Sequence, residues 1–155
     1  MKYFAAFMLT LPLLFTASLG HAAPAVDTLE ISQARIFAPI KGTNTTAGYA
    51  TLKNNGTKAV VVTVVSADQF KQAEMHETKE VAGKMSMEKL EQLTLKPQEV
   101  FEFKPGGNHI MLFDALRPLK LDETLKVSFM VDGQKKSYDF KVVPRVMGGE
   151  MHHQH

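Results

Sequence analysis

From Thr28 onward the apolar residues of this chain alternate with polar ones or gather in short runs, and Gly, Asn, Pro or Asp interrupts them at short intervals. Residues two apart on an extended strand share a face, so this is the pattern of half-buried β-strands. It places strands at Leu29–Phe37, Ala47–Asn54, Val60–Val65, Ala73–Lys79, Lys84–Leu90, Val100–Lys104, His109–Leu112, Thr124–Val131 and Lys136–Val142. No segment carries a helical stripe, and no crossover helices separate the strands as a parallel sheet requires. Asn54-Asn55-Gly56 and Asp132-Gly133-Gln134 accept the positive φ of tight turns, and each is expected to join neighbouring antiparallel strands. The fold class is therefore all-β, a sandwich or small Greek-key barrel.

With 155 residues the chain has room for one such domain and its ends. Hydrophobic residues make up 45% and charged residues 22%, enough apolar material for a core. A formal charge of +2 gives no field suited to neutralising many phosphates, so nucleic acid is not an expected partner. Cysteine is absent, which excludes disulfides, thiolate metal sites, iron–sulfur clusters and thiol nucleophiles. Any soft-metal ligand must come from methionine.

Residues 1–22 carry one charge, Lys2, ahead of a run rich in Phe, Leu and Ala, and they close on the small residues Gly20 and Ala22. This reads as a secretory signal peptide cut after Ala22, because the apolar run is shorter than the roughly 20 residues of a spanning helix. The expected plan is a signal peptide over 1–22, a β domain over 23–146 and a flexible His- and Met-rich tail over 147–155. The exported product is expected to have no stable membrane insertion, and a thiol-free chain suits an oxidising compartment.

Once Met1, Met8 and His21 are removed with the signal, the remaining histidines and all but two of the methionines fall in three groups. His109 and Met111 stand two apart after Pro105-Gly106-Gly107, and Met85 and Met87 have the same spacing. His76 follows the acidic Glu74 and precedes Glu77, while Met147, Met151, His152, His153 and His155 occupy the tail. If the strands meet at one end of the barrel, His76, Met87, His109 and Met111 form a two-His, two-Met set. Thioether sulfur is soft and neutral, so such a set suits copper(I), whereas zinc would recruit Cys or carboxylate beside His. Packing is the competing reading: methionine fills gaps in apolar cores, and a single histidine is commonly a hydrogen-bonded structural residue. Met130 and Met75 are assigned to packing, the latter because its pleat is opposite to that of His76, and Met85 stays open.

At these residues the sequence resembles the periplasmic copper-A chaperone (PCuAC) family, whose motif is His, ten residues, Met, twenty-one residues, His, any residue, Met. His76 is followed by ten residues and Met87, then by twenty-one residues and His109, and Met111 closes the pattern. Ala47–Gly56 looks like the family's early hairpin, and Lys104–Met111 with Arg117–Leu119 looks like its central stretch. The resemblance implies a cupredoxin-like β-barrel or sandwich in the periplasm that holds copper(I) through His76, Met87, His109 and Met111. It implies delivery to a copper-accepting protein in cytochrome oxidase assembly, such as an oxidase subunit or a Sco-type protein; general periplasmic copper binding, storage or resistance is the alternative. Met147, Met151, His152, His153 and His155 are expected to hold a second ion, as copper(II), because solvated imidazoles suit that state. Copper affinity should fall below the ordinary imidazole pKa of about 6.5, since imidazole binds metal only when neutral. An enzyme is not expected: no His-Glu-x-x-His cluster is present, and a blue-copper carrier would need a cysteine.

Overall fold

The computed structural model describes residues 28–145. Ten strands run in chain order: β1 Leu29–Phe37, β2 Thr46–Asn54, β3 Val60–Ala67, β4 Phe70–Val81, β5 Lys84–Leu90, β6 Leu93–Leu95, β7 Val100–Phe103, β8 His109–Ala115, β9 Thr124–Val131 and β10 Gln134–Val143. No described residue is helical. One hydrogen-bonded path, β5-β4-β8-β2-β1-β10-β9-β3-β6, carries nine of them, and β7 pairs with β2. The pairs are antiparallel except β1 with β10, where Arg35–Phe37 runs parallel to Lys141–Val143. The path folds over on itself: residues from both halves, among them Ile36, Leu52, Met75, Ile110 and Leu112 with Val62, Leu95, Phe129 and Phe140, share one buried cluster. Each Phe or Leu buried there contributes about 1.5–3 kcal/mol.

Alternation decides which side chains enter that cluster, and β1 shows how a fault in alternation is used. Ser32 pairs with Thr51 but Arg35 pairs with Tyr49, so β1 holds one extra residue, a bulge with Gln33 at φ 52°. A one-residue insertion swaps the faces of everything after it. Ile36 thereby turns inward, and Phe37 turns outward to meet Tyr49 with ring centroids 4.9 Å apart.

The Asp132-Gly133 turn joins β9 to β10 as expected, with Val131 paired to Gln134 and both turn residues at positive φ. A second two-residue turn of the same kind, Ala82-Gly83, joins β4 to β5. Asn54-Asn55-Gly56 behaves otherwise. It does not close a hairpin, since β2 and β3 are not paired, and the hairpin that Ala47–Gly56 was expected to form does not exist. The reason is the fully buried Asn54 side chain. Its amide donates to the carbonyls of Lys58, Leu95 and Lys96, and its oxygen accepts from the Gly56 N–H. Those bonds turn a corner that carries the chain across to the far half of the path.

On its edge away from β1, β2 is shared by two strands: β8 pairs with Thr46–Gly48 and β7 with Ala50–Lys53. The segment between β7 and β8 must therefore leave the sheet and return. It does so in a turn from Lys104 to Gly107, closed by a Gly107 N–H to Lys104 carbonyl bond of 3.0 Å, with Gly106 at φ 78°. Pro second and Gly third is the signature of a type II turn. This turn delivers the chain to His109 at the start of β8.

Candidate metal centre

The pleat sorts β4 and β8 into two faces. Met75, Ile110 and Leu112 point into the core, while Glu74, His76, His109 and Met111 lie on the opposite, outer side. His76 sits directly across from His109, and Glu74 across from Met111. The two imidazole centroids are 5.8 Å apart, and the Phe113 ring lies tilted at 52° with its centroid 6.3 Å from that of His76. On the other flank of β4, Thr78 faces Met87 and Glu80 faces Met85 in β5. Met85 and Met87 thus share the outer face with the histidines, and Met87 is diagonal to His76. Diagonal positions lie about 7–8 Å apart, within reach of a long side chain.

Met85, Met87, His109 and Met111 line one cleft of about 440 Å³, together with Gly106, Gly107, Tyr49 and Arg145 among others. His76 lies outside that lining. Met87 is 62% exposed, Met111 is half-buried and His109 is buried, so accessibility falls from β5 toward β8. The four residues expected to act together are brought to one face by β5, β4 and β8. They lie on the outer surface of the sheet, because pleat parity sends all four away from the core. Among the described residues no three His, Asp or Glu side chains gather into a metal-binding group. A metal held here takes thioethers beside imidazole, a donor set whose softness fits copper(I).

Each imidazole is held by one hydrogen bond. His76 Nε2 lies 2.9 Å from Glu74 Oε2, and His109 Nδ1 lies 3.0 Å from the Gly107 carbonyl. Glu74 is itself fixed by Gln72 Nε2 at 2.7 Å and approached by Lys89 Nζ at 3.5 Å. The hydrogen bond from His76, aided by Gln72 and Lys89 and opposed by burial, holds the Glu74 carboxyl below its ordinary value. Thr78 anchors the turn: its hydroxyl donates to the Gly107 carbonyl at 2.8 Å, and its N–H donates to Asn108 Oδ1 at 3.3 Å. Sequence reasoning noted Glu74 only as an acidic neighbour and missed Thr78. The available signal was the period-two series Glu74, His76, Thr78 on one face of β4.

Met75 is 1% exposed and packs in the core, as its pleat demands. Met130 does not: its neighbours Phe129 and Val131 are buried, so it lies half-buried on the outer face between Thr63 and Lys135. The expected signal peptide and Met147, Met151, His152, His153 and His155 lie outside the described residues.

A family model described as "Putative lipoprotein LpqE-like" matches residues 29–142, from the first strand into the last. The chain belongs to the LpqE-like family. Two curated relatives of this LpqE-like protein are a "Putative lipoprotein" of Leifsonia xyli subsp. xyli, 25% identical over 103 residues, and an uncharacterized protein of Rickettsia prowazekii, 31% identical over 87. The matches cover 66% and 56% of this chain but only 61% and 48% of those relatives. Among solved structures, the apo PCuAC domain of PmoF1 has a TM-score of 0.65 at 21% identity, covering 77% of this chain and 97% of that one. The copper(I) form of DR1885 from Deinococcus radiodurans has a TM-score of 0.66 at 23% identity, covering 82% and 85%. The copper-bound PCuAC domain of PmoF2 has 0.63 at 19%, covering 78% and 97%. These likenesses establish the fold: the all-β, cupredoxin-like architecture of PCuAC domains, as the sequence resemblance implied.

Proposed function

We propose that this LpqE-like protein is an exported copper chaperone rather than an enzyme, binding copper(I) through His76, Met87, His109 and Met111. The observation that carries the reading is the direct pairing of His76 with His109 across β4 and β8, with Met111 and Met87 on the same outer face. The likeness of the fold to PCuAC domains, two of them described in copper-bound form, supports it. Export is supported by the signal-like residues 1–22 and by the lipoprotein description of the family, although the sequence has no cysteine to carry a thioether-linked lipid.

Four neutral ligands leave the charge of the ion uncompensated, which favours hand-over to a thiolate-bearing acceptor. Transfer proceeds by ligand exchange from the exposed side: an acceptor displaces the exposed Met87 first, then the half-buried Met111, and the buried His109 last. The acceptor is a copper-site protein such as a cytochrome oxidase subunit or a Sco-type protein in the periplasm. Residues Met147, Met151, His152, His153 and His155 retain a second ion as copper(II); deleting 147–155 should lower the bound copper(II) by one equivalent, and an unchanged stoichiometry refutes this.

The test of the main reading is Met111→Ile, followed by anaerobic competition against a copper(I) chelator and by thermal unfolding. A chaperone loses at least tenfold in copper(I) affinity with intact folding, whereas a packing role leaves metal content unchanged. Copper retained in full when a dithiol acceptor is added would favour storage over delivery.

A further inference from the structure

We propose that the two histidines are set in opposite tautomers before copper arrives, so that the ion is taken by Nδ1 of His76 and Nε2 of His109, and that Glu74 is the positioning residue for the first. The assignment of donor atoms rests on the copper reading above, whereas the tautomers stand without it.

An ionised carboxylate and a backbone carbonyl can only accept hydrogen bonds, and a neutral imidazole has one N–H. The nitrogen of His76 that lies 2.9 Å from Glu74 Oε2 is Nε2, so Nε2 carries the proton and Nδ1 keeps its lone pair. That Nδ1 is buried and meets no hydrogen-bond partner. A buried polar atom left unsatisfied is uncommon and asks for an explanation, and a metal is one that a lone pair supplies directly. In His109 the nitrogen on the Gly107 carbonyl is Nδ1, so the proton sits there and Nε2 holds the free lone pair. A metal–imidazole bond of about 2.0–2.1 Å, added to a ring radius of about 1.1 Å, puts two imidazoles on one ion with centroids roughly 5–6.5 Å apart. The observed separation of 5.8 Å falls in that range.

The two acceptors differ in kind. Gly107 offers a main-chain carbonyl, locked by the Thr78 hydroxyl and by the turn from Lys104. Glu74 offers a side chain, oriented by Gln72. Partners of this sort fix ring orientation and tautomer, and their loss typically lowers metal affinity 10–100-fold. A single substitution can therefore unset His76 while leaving His109 as it is.

The experiment is imidazole ¹⁵N NMR of the exported chain near pH 8, before and after one equivalent of copper(I) without oxygen. The apo protein should show His76 with the proton on Nε2 and His109 with it on Nδ1, and copper(I) should shift His76 Nδ1 and His109 Nε2. His76 protonated on Nδ1 or exchanging between tautomers, or a copper-bound His76 Nε2, would overturn the proposal. Glu74→Ala should leave His76 averaging between tautomers, His109 unmoved, and copper(I) affinity down ten- to a hundredfold. Glu74→Gln, whose amide oxygen still accepts from Nε2–H, should restore both. An unaltered His76 tautomer in Glu74→Ala removes Glu74 from its role. If the apo tautomers are as described but neither ring responds to copper(I), the copper reading fails and the donor assignment falls with it.

Discussion

The inner and outer faces of β4 and β8 are built from neighbouring residues of the same two strands, yet they do different work. Met75 is 1% exposed among Ile110 and Leu112, while Met87, on the strand paired with β4, is 62% exposed beside a cleft that holds His109 and Met111. The side chain is the same in both cases. What separates them is pleat parity, which sends one thioether into contact with carbon on all sides and leaves the other free to meet a soft ion. Residue type alone does not distinguish a core methionine from a surface one; position modulo two does.

The sharpest way to break this comparison is to exchange the damage. Met75→Ala should destabilise the fold by about 2–5 kcal/mol through the cavity it leaves, read by chemical denaturation, with copper(I) affinity of the folded fraction unchanged. A loss of affinity there would mean that the two faces are not independent. Next in size is Asn54→Ala, which strips three carbonyls of a buried donor at the corner after β2. It should cost about 1–3 kcal/mol and again leave copper binding alone. The reciprocal outer-face change, Met87→Leu, should alter stability by no more than about 0.5 kcal/mol. Its effect belongs to copper(I) affinity, reduced about tenfold, or about 1.4 kcal/mol.

The smallest effect concerns an ion pair remote from the cleft. Arg117 grips Glu123 with two hydrogen bonds, at 3.1 and 2.7 Å, and the Lys120 N–H adds a third at 2.6 Å. The bonds from Arg117, then that from the Lys120 backbone, hold the Glu123 carboxyl below its ordinary value. A carboxyl lowered on folding contributes stability that is complete above its unfolded pKa, about 4.3, and is lost as pH falls through the lowered folded value. Thermal unfolding should therefore separate Glu123→Gln from the parent slightly at pH 7, and the two curves should converge as pH falls below the lowered folded value. A gap that persists in acid would assign the effect to shape rather than charge.

The strands were legible because they obey a period of two over long stretches: β1, β5 and β9 have the expected bounds, and the ends of the others shift by a few residues. β6 escaped because Leu93–Leu95 is too short to show a period; only its pairing with Val60–Val62 makes it a strand. The Asn54 corner was misread because Asn-Asn-Gly has the backbone freedom of a hairpin, while the decisive bonds come from carbonyls about 40 residues onward in sequence, a separation invisible to local reading. The motif spacing singles out His76, Met87, His109 and Met111, and strand pairing brings these four to one outer face. The partners of the imidazoles were not legible in the same way. Glu74 could be found by parity, but the Gly107 carbonyl is a main-chain atom that no residue identity announces.

The most direct measurement of the central claim is X-ray absorption of the one-equivalent copper(I) complex, prepared without oxygen, with the nearest neighbours of the metal counted. Two nitrogens at imidazole distance and two sulfurs are predicted, with one sulfur lost in Met87→Leu. A copper surrounded only by nitrogen and oxygen, or a sulfur count unchanged in that variant, would contradict the account.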